Sequence, residues 1–205
     1  MALLQGGVSG NLVEVDAFKN MRVTTCRPAH PAAGGWYTVA GQTSAVVAAA
    51  LAADTMLMSA RFSAGSTRKA YVTRFRALIG AATLGASAGV AGSLGLRRFT
   101  AQTPTGGSQR TPNKQNEALD AATDMTDVRD SNAALTGTAP TWGNIVASSL
   151  VPLFISAGAM WMEWIVEPPY PIVLAPGDGL ALRTLVNMAA TQTWMYSYTM
   201  HWYEE

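Results

Sequence analysis

Four aspartates, Asp120, Asp124, Asp127 and Asp130, follow one another at spacings of four, three and three residues. On a helix that spacing puts them on one side, and Asn116–Val128 reads as a short helix. The chemistry open to such a stripe is attraction of a cation or a basic partner. A calcium loop needs oxygens at alternate positions around a central glycine, and that pattern is absent, so the stripe reads as a solvated helix face. The only histidines are His30 and His201. A zinc site or a Ser-His-Asp relay needs histidine in a polar setting with partners. His30 stands in a proline-flanked loop and is expected in solvent; His201 falls in an aromatic segment and is expected in a core or an interface. Cys26 is the single cysteine, which excludes an internal disulfide within this sequence. It reads as a small apolar side chain in a reducing compartment. Neither GxxxxGK[ST] nor a GxGxxG after a strand occurs, so phosphate cradling has no support. No catalytic, cofactor-binding or metal-binding residue is assigned, and the chain is not expected to be an enzyme.

Aromatic side chains are the other resource. Trp161, Trp164, Trp194, Tyr196, Tyr198 and Trp202 are of the type that stacks on sugars or bases. Their alternation argues for a core or a subunit interface instead. The segment "TWMYSYTMHWYEE", Thr193–Glu205, places Trp194, Tyr196, Tyr198, Met200 and Trp202 on one side at a period of two. A strand sends successive side chains to opposite faces, so this is a strand with a bulky face to bury, and the two glutamates after it are expected in solvent.

Other extended segments are expected at Leu12–Val15, Met21–Thr25, Trp36–Ala40, Met56–Phe62, around Phe75, Ser93–Ala101, Phe154–Ile155, Met160–Val166, Ile172–Ala175 and Leu180–Val186. Within them Met56, Met58, Ala60 and Phe62 form one face, and so do Tyr71, Thr73, Phe75, Ala77 and Ile79. "APGDG", Ala175–Gly179, reads as a tight turn, with proline to set φ and glycine for positive φ. Ser44–Asp54 fits a helical turn or a buried strand equally well. Gln102–Pro140 is rich in Pro, Gly, Thr and Asn and reads as a long excursion from the sheet. Many short strands without a sustained amphipathic helix predict an all-β fold. The expected form is an antiparallel β-sandwich or jelly roll with at most short helices. One sandwich domain is expected over 16–205, with the insertion at 102–140, preceded by an N-terminal arm over 1–15.

Charge narrows the partners. Lys and Arg number 14 against 13 Asp and Glu, a net charge of +1, without the basic excess typical of nucleic-acid binding. Charged residues make up 13%, against about 25% in ordinary globular chains, so much of the surface is expected to be covered, either in a membrane or in an assembly. Ala77–Leu96 carries no charge and contains a Gly85–Gly89 GxxxG spacing. It is nevertheless rich in Gly, Ala and Ser and continues from alternating arginines, so strand, loop and strand are expected rather than a membrane helix. The opening residues lack a basic region and a long apolar run, so no secretory signal is expected.

"LAPGDGLAL", Leu174–Leu182, looks like a cupin turn, but metal-binding cupins need a histidine cluster that two histidines cannot supply. A broader likeness rests on "NKQNEALDAATDMTDVRDSNAALTGT" (Asn113–Thr138), "LGLRRFTA" (Leu94–Ala101), "YPIVLAPGDGLALR" (Tyr170–Arg183) and the ending Trp194, Tyr198, Trp202 and Glu204. These resemble a family of virion structural proteins of tailed bacteriophages, over roughly Asp16–Glu205. The resemblance implies a β-sandwich, usually oligomeric, that cements or decorates the capsid or sits at the neck or tail. Its expected partners are the major capsid protein or other virion proteins and further copies of itself. Neither nucleic acid nor a membrane is expected. The implied location is the virion, assembled in the host cytoplasm. A glycan-binding adhesin is the alternative, and Met1–Asn11 is expected to lie against a neighbour.

Overall fold

The computed structural model describes residues 3–6, 11–15, 21–23, 34–47, 51–81, 90–115, 120–152, 161–188 and 193–205. Cys26, His30, the Phe154–Ile155 segment and the Gly85–Gly89 spacing lie outside them. Contacts divide the chain into Met1–Ala32 and Ala33–Glu205. In the first unit β1 (Leu3–Gly6), β2 (Asn11–Val15) and β3 (Met21–Val23) form an antiparallel meander.

The second unit runs through β4 (Gly35–Gln42), β5 (Val46–Val47), β6 (Met56–Arg61), β7 (Ala70–Ala81) and β8 (Val90–Thr100). It continues with β9 (Ser108–Arg110), β10 (Asn113–Lys114), β11 (Asp127–Asp130) and β12 (Thr141–Pro152). The last strands are β13 (Trp161–Val166), β14 (Ile172–Leu174), β15 (Gly179–Thr184) and β16 (Thr193–Glu204). Two antiparallel sheets pack as a sandwich. One has the order β10-β4-β16-β7-β13, with β14 also on β7 and β5 on β16; the other has the order β12-β8-β15-β6-β11-β9. The fold is all-β, and no helix occurs among the described residues.

The closing strand sets the core. Along β16 burial alternates without interruption, and Trp194, Tyr196, Met200 and Trp202 lose all exposure between the sheets. They meet Tyr37 and Val39 of β4, Phe75 and Ile79 of β7, and, from the facing sheet, Met58, Leu96 and Leu182. Stacked and tilted aromatic pairs such as Tyr37–Trp202, with ring centroids 5.6 Å apart, add about 0.5–1.5 kcal/mol each beyond their buried area.

Local irregularities explain where simple alternation fails. The β7–β16 register slips between His201 and Trp202, so that Arg74 faces His201 while Val72 faces Trp202. The extra residue, Thr73, reverses the phase, and Ala70 and Val72 point inward in place of Tyr71 and Thr73. In β6 a similar slip opposite Leu182 and Arg183 turns Met56 to the outer face. There it joins Phe99, Leu135 and Ala181 in a second small core, roofed by the segment after β11. Both faces of β6 are therefore buried.

The 102–140 segment is less of an excursion than its composition implies. Its strands add to both sheets: β10 pairs with β4, while β11 pairs with β6 and β9. The expected helix is corrected here: residues 120–126 are irregular, and Asp127–Asp130 is a strand. Val128 alternates with its polar neighbours and buries itself against the core, which is a strand's use of that spacing rather than a helix's. The Ala175–Gly179 turn matches its reading: Asp178 N–H donates to the Ala175 carbonyl at 2.9 Å, and Gly177 takes φ +86°.

Candidate functional site

Two of the aspartates, Asp124 and Asp130, take part in two braces built on buried carboxylates rather than lining a solvated helix face. At one end of the sandwich Glu204, fully buried at the close of β16, receives Arg68 at 3.2 Å, Trp202 Nε1–H at 3.1 Å and the Asp124 N–H at 3.0 Å. The Thr123 hydroxyl also donates to it. Arg68 in turn holds the Asp124 carboxylate at 2.7 Å, and the Ser66 hydroxyl donates to the same oxygen. Burial works to raise the Asp124 carboxyl, but Ser66 and Arg68 outweigh it and hold it below the usual aspartate range. Asp120, also buried, accepts the Trp36 N–H at 3.2 Å. Glu204 is thus the one of the two final glutamates that does not reach solvent. The strand continues through it in the inward phase, and four donors compensate its charge.

The second brace crosses between the sheets. Asp130, buried on β11, takes Arg110 in a two-point grip, Nε at 2.6 Å and Nη2 at 2.9 Å, and accepts the Tyr198 hydroxyl at 3.1 Å. The Tyr196 hydroxyl donates to the carbonyls of Leu57 at 2.7 Å and Ser131 at 3.1 Å. Burial, reinforced by Asp130, pushes both phenols well above their ordinary range. Asp127 pairs with Arg129 at 2.6 Å. Buried carboxylates need such partners. With their acceptor capacity engaged by the protein's own donors, these aspartates are braces rather than ligands for an incoming cation. Among the described residues no three His, Cys, Asp or Glu side chains stand close enough to hold a metal ion.

The aromatic residues divide in the same way. Trp194, Tyr196, Tyr198 and Trp202 are core, and Trp164 packs half-buried at its margin against Phe75. A row that the sequence reading did not single out crosses the outer face of the first sheet: Tyr71, Tyr203 and Trp36 on adjacent strands. Tyr71 and Tyr203 lie 4.7 Å apart and within 4° of parallel, with Trp36 also 4.7 Å from Tyr203. The Tyr203 ring is therefore engaged on both sides, a cross-strand ladder rather than an open platform for a sugar. His201 shares this outer face, half-buried beside Gln115; burial and Arg74 lower its basicity.

On the outer face of the second sheet Trp142 lies under two guanidinium groups, Arg183 at 4.4 Å and Arg97 at 5.5 Å from its ring centre. Arg183 is buried and ion-paired with Asp54, whose φ of +66° aims the carboxylate at it. Beside this group a cleft of about 250 Å³ runs between Asp54, Gln102, Thr138 and Trp142.

The sheet margins differ. β9, β10 and β14 have three residues or fewer. β13 carries Glu163, ion-paired with Arg76, and is followed by Glu167, 2.9 Å from Arg74. β12, at the edge of the second sheet, has twelve residues, no charge, and Ile145 and Leu150 exposed by 49% and 62%. It was not among the expected strands. Two register slips, between Trp142 and Ile145 and between Ile145 and Ala147, break the alternation that would have marked it. No helix among the described residues is long and apolar enough to cross a membrane. No family model matches the chain, and none of the curated proteins compared is similar to it.

Proposed function

We propose that the protein is a virion structural component, a capsid cement or decoration protein that stabilises a phage head by covering surface on neighbouring subunits. The observation that carries this reading is β12, a long sheet edge with protruding apolar side chains. It lies within a stretch, Ser131–Met162, that has no charged residue at all. Monomeric soluble domains guard such edges with charge; an uncharged edge with protruding apolar side chains favours a partner that covers them. Two braces of buried carboxylate and arginine tie the loops to the sheets, so little conformational freedom remains to be lost when a partner docks. Repetition around a shell turns individually weak contacts into durable cover. A neck or tail position would use the same edge.

The test is a particle preparation made with and without the chain. The expected result is that the chain co-sediments with heads through a density gradient and that heads lacking it lose their contents at lower temperature. A chain that remains in the soluble fraction, with heads equally stable without it, overturns the reading. Density at capsid symmetry axes in a cryo-EM map would separate head from tail placement.

A further inference from the structure

We infer that the two clefts that share Trp142 as a wall form a binding site for a neutral oligosaccharide. The site is a function beyond the capsid role and does not depend on it.

The first cleft, of about 250 Å³, runs between Asp54, Gln102, Thr138 and Trp142; the second, of about 310 Å³, is lined by Thr100, Trp142, Asn144 and Asp178. These volumes stand at the lower bound of about 300 Å³ for small-ligand pockets, and their division by one indole suits a ligand of at least two linked units. The indole is half-buried, and its orientation is set by Phe99, edge-on at 6.2 Å between ring centroids, and by Arg183 at 4.4 Å. A tryptophan held in this way offers rigid apolar surface at little entropic cost.

The same place concentrates polar atoms that lack partners. Of seven buried side-chain nitrogens and oxygens without a hydrogen bond among the described residues, three are Gln102 Oε1, Arg183 Nε and Arg183 Nη1. The two side chains belong to residues only 5% and 3% exposed. Such atoms cost stability, and departures of this kind gather at functional sites. Gln102 lines the first cleft, and Gly137, also in its wall, leaves room beside the amide: a Cβ there would lie 3.2 Å from Nε2. A ligand hydroxyl entering the cleft supplies the donor that Gln102 Oε1 lacks.

Charge selects the class of ligand. Arg98 is paired with Asp178 at 3.3 Å, and Arg183 with Asp54, so each guanidinium is already matched by a carboxylate. A nucleic acid needs unmatched cations for its phosphates. The groups left to meet a ligand are the exposed Asn144 amide, the exposed hydroxyls of Thr100, Thr138 and Thr141, and the Asp54 carboxylate, 57% exposed. Amides, hydroxyls and a carboxylate around an indole match a sugar, which carries hydroxyls on its rim and an apolar C–H face.

The experiment is a titration of the full chain with maltose, cellobiose, lactose and N,N′-diacetylchitobiose, followed at the Trp142 indole N–H by NMR. At least one disaccharide is expected to shift that resonance with a Kd of about 1 mM or tighter. The affinity should be the same at low and high salt, because the ligand carries no charge. Its monosaccharide should bind at least severalfold more weakly, since it fills one cleft only. Trp142→Ala should weaken binding roughly tenfold or more, and Asn144→Ala and Thr138→Val severalfold. Ile165→Ser, an exposed position on β13 of the first sheet, should bind like wild type. Asn144 and Thr138 are exposed, so their variants carry the test if Trp142→Ala does not fold. A panel that leaves the Trp142 resonance unmoved overturns the proposal, as does binding that none of the three cleft variants weakens. A thymidine tetranucleotide or a trialanine peptide that binds more tightly than every sugar assigns the clefts to another ligand class and likewise overturns it.

Discussion

The Glu204 carboxylate has no exposed surface and sits 3.2 Å from the Arg68 guanidinium. That pair joins the end of the central strand β16 to the turn before β7, and through Asp124 to the segment leading into β11. Replacing Glu204 with Ala leaves Arg68, the Trp202 indole N–H and the Asp124 amide without their shared acceptor. Removing one partner of a buried ion pair costs about 3–5 kcal/mol, and the urea midpoint should fall accordingly. Glu204→Gln keeps an acceptor oxygen and should lose roughly half as much.

Alkali should unfold the domain through its buried phenols. Burial and then Glu204 push Tyr37 up to about 12 from an ordinary 10.0, and Tyr196 and Tyr198 shift the same way. A folded-state value above the unfolded one means that the neutral phenol stabilises the fold. That contribution is complete below pH 10 and is lost as pH rises toward the folded values. The melting temperature is expected to fall from about pH 10 upward, in step with tyrosinate absorbance. Tyr198→Phe should flatten this dependence while costing about 1 kcal/mol at neutral pH from the lost hydrogen bond to Asp130.

Gly41 is a steric requirement of the second brace. A Cβ there would lie 2.2 Å from Asp130 Oδ2 and 2.5 Å from Tyr198 Cε1, and neither buried group has room to retreat. Gly41→Ala should destabilise by about 1–3 kcal/mol. Gly65→Ala, where the nearest atom would be 3.9 Å away, should leave the melting temperature nearly unchanged.

Asp54→Asn isolates the value of a countercharge, because asparagine tolerates the positive φ that Asp54 adopts. Arg183 would stay buried under Trp142, with an amide oxygen in place of its countercharge. A loss of about 1–3 kcal/mol is expected in chemical denaturation. Arg183→Met, which removes the buried charge altogether, should cost less than Asp54→Asn if the indole packs against the thioether.

The alternation of Trp194 to Trp202, the proline and glycine of the Ala175–Gly179 turn, and the extended runs at Trp36 and Met56 were all legible, because each expresses a local rule. Residues whose role depends on a partner distant in the chain were not. Asp124 and Asp130 look like surface carboxylates until Arg68, from the turn before β7, and Arg110, from β9, are brought to them. Glu204 looks like a terminal charge until Thr123 and Arg68 surround it. Thr73 gives no sign that it will be the extra residue that inverts a face. β12 was missed because its slips erase the period of two, although its lack of charge is plain in the sequence. His201 was placed in the right strand, and of the two settings expected for it the core is excluded, since it stands half-buried on an outer face.

β16 lies between β4 and β7, and its pairings reach back from Ser197 to Gln42. The central strand of one sheet is therefore the last described stretch to leave the ribosome. Until it emerges β4 and β7 have no neighbour to separate them, and such distant pairings form slowly. During that wait the uncharged β12 can pair with β8, but the facing sheet is still incomplete. A nascent chain in this state has an incentive to aggregate, and a cell producing many copies at once would feel that hazard first as a demand on its chaperones.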